Sequence, residues 1–318
     1  MAVIPLHIVD AFSERPFGGN PAAIIPNAAS LSEQEMVSIS EELGLEVGFV
    51  LPPEAREADV RLRFFIDRRE DTLSGHVLLA AFTSLADRGI FRPTPEGRLL
   101  HVETLAGVLE VRLIAEAPSR VRIVAEMPNP RFGEPIPVDQ VAAALGVPSA
   151  LLRLDGHGPQ RVSCGFDQIV VPIAERTIIR GSLPGLSGVR ALLDERGAAG
   201  MVLFCPETHH EDADFHCRFL HPEDRRCEDI ASGTCLAAVG AYAVKHQLVS
   251  AALNDQVRVK TEQGHAMGRP TEAEVLVRLV AGEIQRVELA GVGAVVLRGS
   301  LQFNRLDHPV LRGRVARG

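Results

Sequence analysis

The stretch Glu70-Asp71-Thr72-Leu73-Ser74-Gly75-His76 runs into the apolar segment VLLAAFTSLADRG, and Glu228-Asp229-Ile230-Ala231-Ser232-Gly233-Thr234 runs into CLAAVGAYAVKHQLV. Both read E-D-x-x-S-G followed by histidine or threonine. Ser74 and Ser232 stand 158 residues apart, half of the 318-residue chain. A repeat of that period predicts two similar folded units. One copy alone would be explained by capping, because serine is a favoured N-cap; two copies half a chain apart ask for more. Placed face to face, the turns bring two helix N-termini to one cleft. Their free N–H groups and positive dipole ends suit a substrate carboxylate.

Working outward, LHIVDAF (residues 6–12) alternates and is β-branched, so it predicts a strand. Phe17-Gly18-Gly19-Asn20-Pro21 predicts a turn and AAIIP a second strand. Ser32-Glu33-Gln34-Glu35 fits a capping box, with Met36, Ile39 and Leu43 as an apolar stripe and Gly44 as the stop. Strands are expected at 46–51 and 60–66, then a helix ending near Gly89 and further strands. PNPRFGEPIP (128–137), with prolines at 128, 130, 135 and 137, is the best linker candidate. A helix at about 138–146 follows, then strands at about 167–173, 200–205 and 214–220, the second turn and helix, and a strand-rich last third. The expectation is an α+β fold of two pseudo-symmetric domains, 1–127 and 128–318, with the last strand able to return to the first half.

The net charge of −8, from 33 basic and 41 acidic residues, speaks against a nucleic-acid partner, which needs a basic face. The pairs Arg68-Arg69 and Arg225-Arg226 are read as solvated turns. Five cysteines, an odd number with no C-x-x-C pair, are expected to be reduced thiols. MAVIPLHIVDAF lacks the features of a signal peptide, and no apolar run approaches the ~18 residues of a membrane span, so a cytoplasmic location without membrane association is expected. His209-His210-Glu211-Asp212 and His216-Cys217 are ligand-like in composition but lack ligand spacing, so they are read as a polar loop and a strand, with no metal.

VDAFSERPFGGNPAAII, GLEVGFVL, LRFFIDRREDTLSGHVLLAA, DFHCRFLHPEDRRCEDIASGTCLAA and EQGHAMGRPTE resemble, in order and over nearly the whole chain, the PhzF-like (phenazine biosynthesis-like) isomerases. The resemblance implies a diaminopimelate-epimerase-like fold: each half a curved, mostly antiparallel sheet around a central helix, with the active site between the halves. It implies no cofactor, a homodimer, and a small carboxylate-bearing substrate. Glu46 matches the family's acid/base glutamate. His76 and Asp229 match the catalytic histidine and aspartate, and Asn20, Ser74, Gly75, Ser232, Gly233 and Thr234 fall at substrate-binding positions. From the residues alone, a glutamate opening an apolar strand is placed to become a buried base with a raised pKa.

Racemases and epimerases of this fold carry two cysteines where Ser74 and Ser232 stand, and a hydroxyl is a far weaker acid than a thiol. Two-thiol racemisation is therefore disfavoured, and Cys235 is read as a buried small apolar residue. Ile230 and Asp67 replace frequent prolines, Ser74 a frequent cysteine and Thr234 a serine, which points away from the phenazine precursor as substrate. The leading expectation is an isomerase moving a proton within a carboxylate substrate, by analogy one of secondary metabolism. An epimerase or dehydratase using Ser74 or Ser232, and a non-catalytic metabolite-binding protein, remain open at this stage.

Overall fold

The computed structural model describes residues 1–117, 120–180, 186–222, 227–249 and 255–304; the Arg225-Arg226 turn lies outside them. The first half runs β1 (Ala2–Ala11), β2 (Asn20–Ile25), α1 (Glu33–Leu43), β3 (Glu46–Leu51), β4 (Val60–Ile66), β5 (Arg69–Asp71), α2 (Gly75–Asp87), β6 (Arg98–Thr104), β7 (Gly107–Ala117) and β8 (Arg120–Met127). The second runs β9 (Arg131–Pro135), α3 (Val138–Leu145), β10 (Gln160–Ser163), β11 (Asp167–Pro172), α4 (Thr177–Arg180), α5 (Leu186–Arg196), β12 (Gly200–Cys205), β13 (Phe215–Leu220), β14 (Glu228–Asp229), α6 (Gly233–Lys245), β15 (Gln256–Gln263), β16 (Thr271–Val280), β17 (Glu283–Gly291) and β18 (Gly293–Phe303).

The pairings of the halves match strand for strand. β2 lies parallel to β3 and β4 parallel to β6; β11 lies parallel to β12 and β13 parallel to β15. The other neighbours are antiparallel. Each parallel pair needs a crossover, and helices supply it: α1 and α2 in the first half, α4–α5 and α6 in the second. The halves join edge to edge where β8 runs antiparallel to β17, Met127 opposite Val287 through Ile123 opposite Gly291. β1 and β10, the matching strands of the two halves, each gain one further neighbour. β9 pairs with β10, and β18 returns to pair with β1 from Ala2–Phe303 to Ala11–Gly293.

The central helices are apolar all round, as buried helices must be. α2 is buried from Gly75 to Leu85 and α6 from Gly233 to Ala243, inside a core shared by both halves. Fully burying each large side chain there, such as Phe82 or Leu236, contributes ~1.5–3 kcal/mol. The outer sheet faces carry smaller cores, under α1 in the first half and under α3 and α5 in the second. α1 forms as its capping box predicts, with Ser32 and Glu35 bonding reciprocally and Gly44 ending it at φ 59°.

Three elements depart from the sequence reading. The proline-rich 128–137 segment holds β9, an edge strand, where prolines are tolerated because no neighbour needs their missing N–H. α4 and α5 were not anticipated, since the stripe Val189, Leu192, Leu193 is short for a helix signal. The five cysteines are free, four of them buried, and burial pushes the Cys235 thiol well above its ordinary range. Among the described residues no helix is long and apolar enough to cross a membrane.

Candidate active site

The two E-D-x-x-S-G turns meet. A Cβ built on Gly75 would lie 2.8 Å from Gly233 Cα, and one on Gly233 equally close to Gly75 Cα. Only glycine lets the two helices start in contact. Neither Ser74 nor Ser232 caps a backbone N–H of its own helix with its side chain, so simple capping does not explain them, and the first-turn N–H groups need partners from elsewhere. The glutamates of the two turns have one shared explanation. Glu70 binds Arg63 of β4 through Nε (2.6 Å) and Nη2 (2.5 Å), and Glu228 binds Arg218 of β13 through Nε (2.8 Å) and Nη2 (2.6 Å). Each forked pair fastens a turn to the strand before it.

Above the joined helix ends lies a cleft of about 1020 Å³, lined by all nine residues singled out from the sequence. Glu46 opens β3, its side chain one-quarter exposed. Ser74 Oγ donates to Glu46 Oε2 at 2.8 Å, and His76 Nε2 lies 3.7 Å from the same oxygen. With Ser74 donating to the carboxylate, its 3.3 Å contact to His76 Nδ1 places a ring hydrogen on Nδ1. Burial pushes the His76 pKa down against the opposing pull of Asp229, so the ring is neutral near pH 7. Asn20 reaches across from the first half, its Nδ2 donating to Asp229 Oδ1 and to the Ala231 carbonyl, both at 2.9 Å.

Two distant segments hold that bridge. Arg269 donates to the Gly18 and Gly19 carbonyls (2.8 Å each) and to Asp10 (2.7 Å), locking the turn before Asn20. Gln263 Nε2 donates to the Asp229 carbonyl at 2.8 Å. Thr234 is buried, its hydroxyl 3.2 Å from Ser232 Oγ and accepting from Gln168 Nε2 at 3.3 Å.

The cleft also contains groups the sequence reading passed over. Gln168 is 1% exposed, and its Oε1 is buried with no partner, an acceptor available to a ligand's O–H or N–H. Its signal was a lone amide at the start of the apolar strand DQIVVP. Asp71, the twin of Asp229, has its pKa raised by burial. Arg68 and Arg69, expected in a solvated turn, line the cleft rim; Arg68 is exposed and paired with Glu41.

The strand registers show where the halves differ. Glu46 pairs with Ala22 across β2–β3, and in the matching β11–β12 pair Gly200 stands opposite Gln168. Gly200 thus occupies the place of Glu46. A side chain there is shut out, because its Cβ would fall 2.3 Å from the Phe219 ring.

Residues 9–299 match the phenazine biosynthesis-like protein family. The chain belongs to that family. This phenazine biosynthesis-like protein is 29% identical over 303 residues to an uncharacterized isomerase of Clostridium acetobutylicum, covering 94% of this chain and 98% of that one. It is likewise 29% identical to the uncharacterized isomerase YfhB of Bacillus subtilis, over 89% and 93% of the two chains. The crystal structure of the Bacillus anthracis PhzF-family phenazine biosynthesis protein superposes with a TM-score of 0.84 at 26% identity, covering 95% of this chain and all of that one. The fold extends to a hydroxyproline epimerase from Agrobacterium vitis, at a TM-score of 0.60 and 13% identity.

Proposed function

We propose that this phenazine biosynthesis-like protein is an isomerase in which Glu46 removes a proton from one carbon of a small carboxylate-bearing substrate and returns it to another. The observation that carries the reading is the single carboxylate at the head of β3, hydrogen-bonded by Ser74 beside neutral His76, with Gly200 at its counterpart position. Racemisation through two bases needs one on each face of the substrate, and neither Ser74 nor Ser232 is acidic enough to replace a thiol. One base serving two carbons needs only one face. The names of the Clostridium and Bacillus relatives, both isomerases, favour the same reaction class.

In this scheme the substrate carboxylate sits against the uncapped helix starts at Gly75 and Gly233, where N–H groups and dipole ends favour an anion. Ser74 holds Glu46 on the substrate face. His76 and Asp229 bond the substrate, and His76 Nε2, carrying a lone pair in the Nδ1–H tautomer, is placed to share the proton while Glu46 holds it. No cofactor takes part in the chemistry. The test is deuterium incorporation from D2O into a panel of cyclic and unsaturated carboxylic acids. The wild-type chain is expected to exchange at least one bound acid. Glu46→Gln, which still accepts from Ser74, should bind that acid but exchange it ~10²–10⁴-fold more slowly, the usual worth of a positioned acid/base. Undiminished exchange in E46Q rules Glu46 out as the base.

A further inference from the structure

His209, His216, His265 and Glu262 come from four separate places: the loop after β12, β13, a short 3-10 turn (His265–Met267) and β15. Their sequence spacing resembles no metal motif, yet each offers a ligand atom, and these atoms all lie within 4.8 Å of one another. The rings of His209 and His265 stack with centroids 4.1 Å apart and planes 4° apart. His265 Nδ1 is buried and has no hydrogen-bond partner, an arrangement that wastes a donor or acceptor unless something ligates it. Glu262 is fully buried and accepts at Oε1 from His216 Nδ1 (2.8 Å) and the His209 N–H (2.7 Å), and at Oε2 from the His210 N–H (3.1 Å).

We propose that these three histidines, with Glu262, form a binding site for one divalent transition metal of the zinc class. Three imidazoles and a carboxylate are the donor set of zinc and its neighbours rather than of magnesium or calcium, which prefer all-oxygen sites. A carboxylate bonded to an imidazole ring is how metal sites fix a ligand's orientation. The site lies outside the cleft and its role is to fasten structure. Glu262 adjoins Gln263, which supports the Asp229 carbonyl, and His265 begins the segment ending in Arg269, which locks the Asn20 turn. A bound ion would tie both supports to β13 and the loop after β12.

Untagged protein, stripped with a chelator and reloaded with one equivalent of zinc chloride, tests this without any activity measurement. Expected are one retained zinc per chain after gel filtration, a visible Co(II) spectrum of nitrogen–oxygen coordination, and a melting temperature raised by zinc and lowered again by chelator. His265→Gln and the exposed His209→Asn should each weaken zinc binding at least tenfold while keeping the wild-type circular dichroism; His157→Gln, remote from the cluster, should leave it unchanged. If the reloaded wild type holds no stoichiometric zinc, or if H265Q and H209N bind as tightly as wild type, the site is refuted. Loss of binding in His210→Asn alone would place the ion on the surface histidine and overturn the proposal. None of these outcomes depends on the isomerase reading.

Discussion

Replacing Gly75 with alanine tests the joint on which the whole cleft rests. Gly75 is not left-handed, so alanine brings no backbone strain, and in a helix alanine is normally favoured over glycine by ~0.5–1 kcal/mol. The contact geometry predicts the opposite sign. The new Cβ would lie 2.8 Å from Gly233 Cα and 3.3 Å from its carbonyl carbon, both backbone atoms that no rotamer change can move aside. Carbon atoms rest at ~3.5–4.0 Å, so the helix starts must separate by ~0.7–1.2 Å. Overpacking of that size costs ~1–3 kcal/mol. The same shift moves Ser74 and His76 away from the Asp229 side of the cleft, and misplacement of ~1 Å can cost ~10²-fold in rate. Gly233→Ala should behave alike, since its Cβ would meet Gly75 Cα at 2.8 Å and Leu289 Cδ2 at 2.6 Å. The double variant should cost less than the sum, because the first Cβ opens the gap that the second uses. Urea unfolding of the three variants, with exchange rates on the best acid of the panel, supplies both numbers. Single variants more stable than wild type with unchanged exchange would refute the contact between the helix starts.

Further outcomes follow from single contacts. Asn20→Ala leaves the Ala231 carbonyl without its side-chain donor and removes one donor from Asp229, and should cost ~1–3 kcal/mol in urea unfolding. Asn20→Asp should be worse at pH 7, where it sets a second carboxylate against Asp229, and should recover toward the alanine value on acidification. His246, in contact with Tyr242 and His157 and bonded to Gln160 Oε1 at 2.9 Å, has its pKa pushed down to about 4, by burial first and then by His157 and Lys245. The unfolded chain therefore binds this proton from pH 6.5 downward while the native one does not until about 4, so stability should fall across that window as pH is lowered. His246 is partly exposed, which reduces the contribution to ~1 kcal/mol. His246→Gln should flatten the unfolding free energy against pH by that amount, and an unchanged slope would contradict it.

What could be read from the sequence was what depends on near neighbours. The capping box at Ser32 is closed by residues three apart, and the strand–turn–helix order of each half follows from local periodicity. The repeat gave the meeting of the two S-G turns because two copies of one signal imply one shared environment. Contacts between distant strands were out of reach. Glu70 and Glu228 carry no sign of their Arg63 and Arg218 partners until β4 and β13 are laid beside the turns. His209-His210-Glu211-Asp212 and His216-Cys217 show no ligand spacing in the sequence, and only the fold brings His265 and Glu262 against His209 and His216. The proline-rich 128–137 segment misled for a different reason: proline forbids a central strand, and β9 is an edge.

The halves are alike in what their backbones do and unlike in their side chains. Both turns end in glycine, both are held by an arginine fork, and both start a buried helix without a serine cap. An anion needs N–H groups and helix ends, which any sequence can supply, so the symmetric frame suits the part of a substrate that is only held. Proton transfer needs a specific side chain on a specific face. There the halves part: Glu46 against Gly200, Ala22 against Gln168, His76 against Thr234. Phe219 fills the space a second base would need, and Gln168 brings to its side an acceptor that cannot titrate. Under the proposed isomerase reading, a substrate would have one productive orientation, with its carboxylate on the shared axis and its reacting carbons turned toward β3. On that reading the asymmetry would limit the chemistry to the one face of the substrate turned to Glu46.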